Sequence, residues 1–443
     1  MIEATWGADP LEVHGGFRSL QYDPEQQFTS SLTNNATVGW STIEATSRSS
    51  TSTSCDVKLA CDFADDFDYA QMTYVYGWTS LQYQAWIRGN LTVTSAEAQT
   101  VVLYTDQVLE LYVDDEHHFG GDVYDFRRAP LVLRLDSGSH QLDLRLVRDV
   151  RAMSGVGPPT IDVAVRAEIV TPGLSAHNVL MPDCLIERDD FASSYGSVMV
   201  RNNHEQDLEV VGLCPSADGL SMTLVNSGPI RLVPGQTRPI AFEIRSDLSC
   251  PVSVSFDIQY KAVGDSGPSE HVSVTHTVIK RKSIYEPHKI TYLHPGGMVS
   301  KSVIQAPVGR AATAPILLQL HGSGVDPEWP SVAESLASLN LRAWSVFPSG
   351  VTPWTGDDWH QWGFSDVKAA VRALPAWIEH NGWTGGPAPA LDSWMVTGHS
   401  NGGQGVWYTM THQPDSVFAG SPVAGYSSIQ SMCTFIVERC GRY

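Results

Sequence analysis

No run of about 18 or more apolar residues occurs in the 443-residue chain, so no stretch of it reads as a membrane-spanning helix. Basic residues are scarce: 28 Lys+Arg stand against 48 Asp+Glu, a net charge of −20. The deficit is uneven. From residue 281 onward 10 basic residues face 11 acidic ones, which leaves 18 against 37 before it. A body this acidic repels phosphate backbones and anionic membrane surfaces, so neither nucleic acid nor a membrane is an expected partner. None of the seven cysteines sits in a Cys-x-x-Cys pair, so the zinc-site pattern is missing and no cofactor or metal is expected. The opening Met1-Ile-Glu-Ala-Thr-Trp6 has no basic region followed by an apolar one, so no signal peptide is expected in this chain.

Other features lean the opposite way. Sequons stand at Asn35-Ala-Thr37 and Asn90-Leu-Thr92, which suggests a glycosylated, secreted parent. Cys55 and Cys61 flank a short stretch that a bridge can close, and Cys214 and Cys250 can close another. An odd cysteine count leaves at least one thiol over. Hydrophobic residues make up 42% and charged residues 17%, a globular balance.

Residues 1–172 read as β structure. Val101–Tyr104, Val108–Val113, Leu131–Leu135 and Leu142–Val147 run apolar or alternate over strand lengths, separated by Gly, Asp and Ser turns. A β-sandwich of jelly-roll or galactose-binding type is expected, with a polysaccharide or a protein as its candidate partner. A second sandwich, of immunoglobulin or fibronectin type III kind, is expected over 176–283 from Ser197–Val200, Leu208–Gly212, Ile240–Ile244 and Val252–Ile258.

The pattern changes near residue 310. Pro315–Leu320 is a near-continuous apolar strand of the sort buried on both faces of a parallel sheet. A short helix bearing Val332, Leu336 and Leu339 follows, then a strand over Leu341–Phe347. A helix with Val367, Val371, Leu374 and Ile378 comes next, interrupted by Pro375, and then a strand over Ser393–Thr397. This alternation predicts a doubly wound α/β sheet over 285–443.

Gly398-His-Ser400-Asn-Gly402 matches G-x-S-x-G between that last strand and a helical stretch from Gly403 to His412. Such a pattern is weakly specific alone, and its strand-to-helix setting is what gives it weight. A nucleophile on so sharp a turn needs small residues two places either side, which Gly398 and Gly402 supply. His321-Gly-Ser-Gly324 follows the strand 315–320 at the place of an oxyanion loop. The backbone N–H groups of Gly322 or Ser323, with that of Asn401, are the candidates to hold a tetrahedral oxyanion.

Leu318–Val325, Val396–Gly403 and Pro414–Gly425 resemble the catalytic domain of the prolyl oligopeptidase family of serine peptidases, over roughly residues 285–430. The chain resembles most the long fungal members with β-rich N-terminal domains. The resemblance implies an α/β-hydrolase fold, Ser400 as nucleophile and a peptide substrate. Feruloyl and acetyl esterases use similar segments, which keeps an ester substrate open. A binding protein with a remnant hydrolase domain is a third reading. The family places its acid and base after the nucleophile. Among the 43 residues after Ser400 the histidine is His412 and the aspartate Asp415, on or just past the nucleophile's own helix. Neither can reach Ser400, so this chain is expected to be inactive as it stands.

Remaining candidates are weaker. Trp354, Trp359 and Trp362 form a ring-stacking platform or packing at the hydrolase edge. Asp62, Asp65, Asp66 and Asp68 read as a solvated acidic loop before a calcium site. Asp114–His118 reads as a hairpin turn. His321, His360, His380 and His399 read as structural.

Overall fold

The computed structural model describes residues 11–29, 33–61, 69–76, 83–106, 108–119, 129–148, 160–247, 249–335, 341–351 and 359–427. The acidic run 62–68, Trp354, Leu336, Leu339, Cys433 and Cys440 lie outside them. Two compact units emerge, one built essentially on residues 1–173 and the other on 174–428.

In the first unit, antiparallel strands form a five-stranded sheet, in spatial order Thr46–Ser50, Ser54–Cys61, Ile161–Ile169, Gln99–Asp106 and Leu131–Leu135. A four-stranded sheet runs Tyr83–Val93, Gly138–Arg148, Val108–Val113 and Glu116–Phe119. Alternation explains the packing. Leu142, Leu144 and Leu146 of one sheet and Val163, Val165 and Ala167 of the other point into one shared core. Asp114 and Asp115 make the two-residue turn of a hairpin, and Asp114 adopts φ 54°. Among the described residues no cluster of metal-ligating side chains is found.

The second unit begins with two four-stranded sheets over 174–276 whose buried residues form one cluster, including Val198, Phe242 and Ile244 against Val210, Phe256 and Ile258. The cysteine pairing differs from the sequence expectation. Cys184 bonds Cys250, across a separation of 66 residues, while Cys55, Cys61 and Cys214 are free thiols. Cys55 and Cys61 lie on one extended strand, where consecutive side chains are carried apart along the chain. Cys214 is exposed on Leu208–Pro215, whereas Cys184 and Cys250 both lie in the core.

A six-stranded sheet completes this unit. Its elements are β1 (His288–Leu293), β2 (Val299–Gln305), β3 (Thr313–Leu320), α1 (Pro330–Ala333), β4 (Trp344–Pro348), α2 (Trp362–Asn381), β5 (Ala388–His399), α3 (Asn401–His412) and β6 (Val417–Val423). The spatial order is β1-β2-β4-β3-β5-β6. β3, β4, β5 and β6 are parallel; β1 and β2 form an antiparallel hairpin on one edge. Burial on both faces holds for β4, every residue of which is buried, but not for β3. There Ile316, Leu318 and Leu320 are buried and the residues between them half-buried. α2 runs through Pro375 without breaking. Proline removes one hydrogen bond, but Pro375 lies on the exposed side, and Val367, Val371, Leu374 and Trp377 anchor the opposite face in the core.

The six-stranded sheet and the preceding β segment are pinned together by buried polar contacts. Thr291 on β1 shares a hydrogen bond with Ser193 (2.8 Å), and Asn381 at the end of α2 donates to the Ala192 carbonyl (3.1 Å). His380 bonds Phe191 O (2.9 Å), which gives it a structural task.

His288 makes this core sensitive to pH. Its ring is fully buried against Trp377, Nδ1 donates to Glu286 O at 2.8 Å, and Nε2 is buried without a hydrogen-bond partner. Burial drives its pKa down to about 4, against the milder upward pull of the Glu286 carbonyl and the Glu187 charge. The folded imidazole is therefore neutral where the unfolded one gains a proton. Stability from this group is complete above the unfolded pKa of about 6.5. It falls as pH drops towards 4 and changes no further below that. The loss amounts to about 3 kcal/mol. Urea midpoints measured from pH 7 to 4 should fall more steeply for the native chain than for His288→Phe. Parallel curves would show that the imidazole is not held neutral.

Candidate active site

Ser400 occupies the single residue between β5 and α3, with φ 57° and ψ −119°. L-residues avoid this region, at a cost of roughly 1–3 kcal/mol. Neighbouring contacts over-determine the turn. Ser400 N donates to Val423 O of β6 (3.0 Å), and Ser400 O accepts from Gln404 N in α3 (3.1 Å). A Cβ at Gly398 would lie 2.4 Å from the Gly402 carbonyl oxygen, and one at Gly402 would lie 2.0 Å from Leu320 O. Strand β3, the elbow and the first turn of α3 thus approach so closely that the two flanking positions have no room for a side chain.

His321–Gly324 leaves the end of β3 beside this turn. A Cβ on Gly322 would fall 3.5 Å from Ser400 Cβ and 3.2 Å from His399 O. Gly322 and Ser400 are therefore neighbours. Ser323 is exposed in the turn that follows, and Asn401 is buried at the start of α3.

Residues that the sequence did not single out for this purpose hold the loop. Trp359 is fully buried, so it is not the surface platform that its neighbours suggested. Its Nε1 donates to His321 O (3.2 Å), and its ring packs edge-on against the imidazole. His321 is itself buried, with Nε2 on Ser349 O (2.8 Å) and Nδ1 near Gly322 O (2.9 Å); burial lowers its pKa. The next residue, Gly350, donates its N–H to Asp366 Oδ2 (2.8 Å), and Tyr292 donates to Oδ1 (3.1 Å). Burial raises the Asp366 pKa, which these hydrogen bonds partly oppose. Lys301 on β2 bonds Asp326 (2.8 Å) and Glu328 (2.6 Å) just beyond the loop. Burial alone would push the Glu328 carboxyl up, but Lys289 and Lys301 outweigh it and hold the pKa at about 2.

Strain concentrates at the C-terminal edge of the parallel strands. Val351 beyond β4 (φ 74°), Ser400 beyond β5 and Ala424 beyond β6 (φ 48°) are non-glycine residues with positive φ. In open α/β sheets this edge is where ligands bind. Tyr426 closes one side, its hydroxyl 3.0 Å from Asn401 Oδ1.

Among the described residues no histidine hydrogen-bonds the Ser400 hydroxyl. His412 ends α3, roughly 18 Å along the axis from Ser400. It stacks on Tyr408 at 3.8 Å. His360 stacks on the other end of this group at 4.5 Å and contacts Gln404. His321 and His380 are engaged with backbone carbonyls, and His399 is exposed. Asp415 follows α3.

No family model matches the chain. It is 40% identical over 441 residues to a secreted protein of Arthroderma benhamiae, an alignment that takes in 97% of this chain and 46% of that protein. The chain thus spans about half the length of this curated relative. Among solved structures, it is similar to a brefeldin A esterase described as a bacterial homologue of human hormone-sensitive lipase (20% identity, 32% of this chain and 40% of that one, TM-score 0.25). It is also similar to Est1E from Butyrivibrio proteoclasticus (15%, 32% and 54%, TM-score 0.24) and to a thermostable esterase (13%, 59% and 79%, TM-score 0.25). These neighbours are α/β-hydrolase esterases. Among the described residues no helix is long and apolar enough to cross a membrane.

Proposed function

We propose that the chain carries the nucleophilic half of a serine hydrolase site, in which Ser400 accepts an acyl group from a peptide or an ester before water removes it. The observation that carries this reading is the strained Ser400 backbone at a strand-to-helix turn, locked by Gly398 and Gly402. A structure tolerates such strain where the nucleophile must stand clear of its sheet. In this reading the backbone N–H groups of Gly322 or Ser323 and of Asn401 hold the oxyanion, and the close approach of the Gly322 position to Ser400 supports the part given to this loop. The resemblance of the elbow and loop segments to the prolyl oligopeptidase family favours a peptide substrate, with a carboxylic or feruloyl-type ester as the alternative. The secreted relative supports a secreted parent protein.

Labelling with a fluorophosphonate probe tests the nucleophile. Slow labelling is expected, and it should vanish in Ser400→Ala. Equal labelling of both chains would remove Ser400 from its role.

A further inference from the structure

The two sequons stand apart from the Ser400 site, and their settings in the fold differ. Asn90, Leu91 and Thr92 lie on the strand Tyr83–Val93, in the four-stranded sheet of the first unit. Side chains alternate along this strand. Leu91 packs against the core and Val93 is buried in it, so Asn90 and Thr92 face the other way, and both are exposed. Across the ladder Asn90 is opposite Gln141 and Thr92 opposite Ser139, and residues opposed in this way share a face. The Asn90 amide and the hydroxyl two residues on thus stand together in solvent. At the other sequon Asn35 is exposed, but Thr37 is half-buried and its carbonyl accepts the Thr33 hydroxyl (3.1 Å).

An independent observation bears on the compartment. The Cys184–Cys250 bridge is buried in the core of the second unit, and structural disulfides form and persist where the surroundings are oxidising. The secreted relative points the same way. A secretory, oxidising route is also where Asn-x-Ser/Thr segments receive their sugar.

We propose that Asn90 is a site of N-linked glycosylation, modified as the chain enters the secretory pathway. The proposal rests on the reading of the parent protein as secreted. The donor is a lipid-pyrophosphate-linked oligosaccharide supplied by the host. Asn90 Nδ2 forms a bond to the anomeric carbon of the sugar. The bond from that carbon to the pyrophosphate oxygen breaks, the oxygen keeps the electron pair, and Nδ2 gives up one proton. Nothing is oxidised or reduced. The fold accepts the product, because the sugar leaves from the outward face and displaces no core side chain. The oligosaccharide then occupies the solvent in front of Asn90, Thr92 and Gln141. That takes this end of the sheet out of the surfaces open to a polysaccharide or protein partner.

Expression of the full chain behind an appended secretion signal, in a yeast or insect host, tests the site. Chain is collected from medium and microsomes together. In an Asn35→Gln background Asn90 heads the one remaining sequon, so a mobility step lost on peptide-N-glycosidase treatment belongs to it. That step is expected, and treatment in heavy-oxygen water should leave a labelled aspartate where Asn90 stood. Adding Asn90→Gln should abolish the step, whereas Thr92→Ser should keep it. The site is refuted if the Asn35→Gln chain shows no step, or if the step survives Asn90→Gln. Because the signal supplies the route, an unmodified Asn90 counts against the site and not against the secreted reading. That reading answers to the bridge. Chain made in a reducing cytosol, with Cys184 and Cys250 as thiols, should unfold at a clearly lower urea concentration than the secreted chain after its sugar is removed. Equal midpoints would overturn the argument from an oxidising compartment.

Discussion

Gly402→Ala is expected to destabilise the 174–428 unit by about 3 kcal/mol or more. The added methyl would sit 2.0 Å from Leu320 O, 2.6 Å from Leu320 C and 2.8 Å from His321 O. All three atoms are backbone, so no rotamer change relieves the clash. Relief needs α3 to lift off β3, and that motion would open the core in which Leu320 and Val406 are both fully buried. Gly228→Ala is the matched control. It lies in the same unit with nothing within 4 Å of the new Cβ, and such a surface change stays within about 0.5 kcal/mol. Urea midpoints decide the matter: equal midpoints for the two variants would mean that the elbow is not packed as described. Fluorophosphonate labelling should disappear together with the lost stability, because the same contacts hold Ser400 in place.

A chain of these 443 residues is expected to hydrolyse nitrophenyl esters or peptide substrates only at a residual rate, on the order of 10³–10⁴-fold over water, where a whole triad gives several powers of ten more. The reason is geometric. The Ser400 turn and the His321–Gly324 loop are braced, but His412 sits at the far end of α3 and His321, His360 and His380 are committed to other partners. A serine hydroxyl without a base within about 3 Å stays protonated and is a weak nucleophile. Turnover assays with Ser400→Ala as control check this. Ser400-dependent turnover at the rate of an intact esterase would prove that a base reaches it, and His399, exposed beside the elbow, would be the first to mutate.

Much of this was legible in the sequence because the signals are local. Glycine at two places either side of a serine, between an apolar strand and a helical stretch, predicts a tight elbow from sterics alone, and the backbone at Ser400 adopts it. Two-residue alternation put strands at 101–104, 108–113, 131–135, 142–147, 197–200, 208–212, 240–244 and 252–258, and each of these overlaps an observed strand; the hairpin turn expected over Asp114–His118 is confined to Asp114–Asp115. The misses are non-local. Cys184 pairs with Cys250 because folding brings two core positions together across 66 residues, a separation on which cysteine spacing is silent. Propensity predicts an interruption of α2 at Pro375, yet the helix runs on because its buried face overrides that preference.

What the sequence determined by itself is the chemistry on offer: an acidic chain with one serine in a nucleophile's setting, a glycine loop before it, and no downstream histidine away from its own helix. Tertiary structure decided which side chains serve that serine. Trp359 and Trp362 look alike in sequence, three residues apart, but one is fully buried against His321 and the other stands half in water against His294. Asp366, Lys301 and Glu328 became braces only when β1, β2 and α2 met beside the loop. Burial and partnership are properties of contacts between distant segments, and local pattern does not encode them.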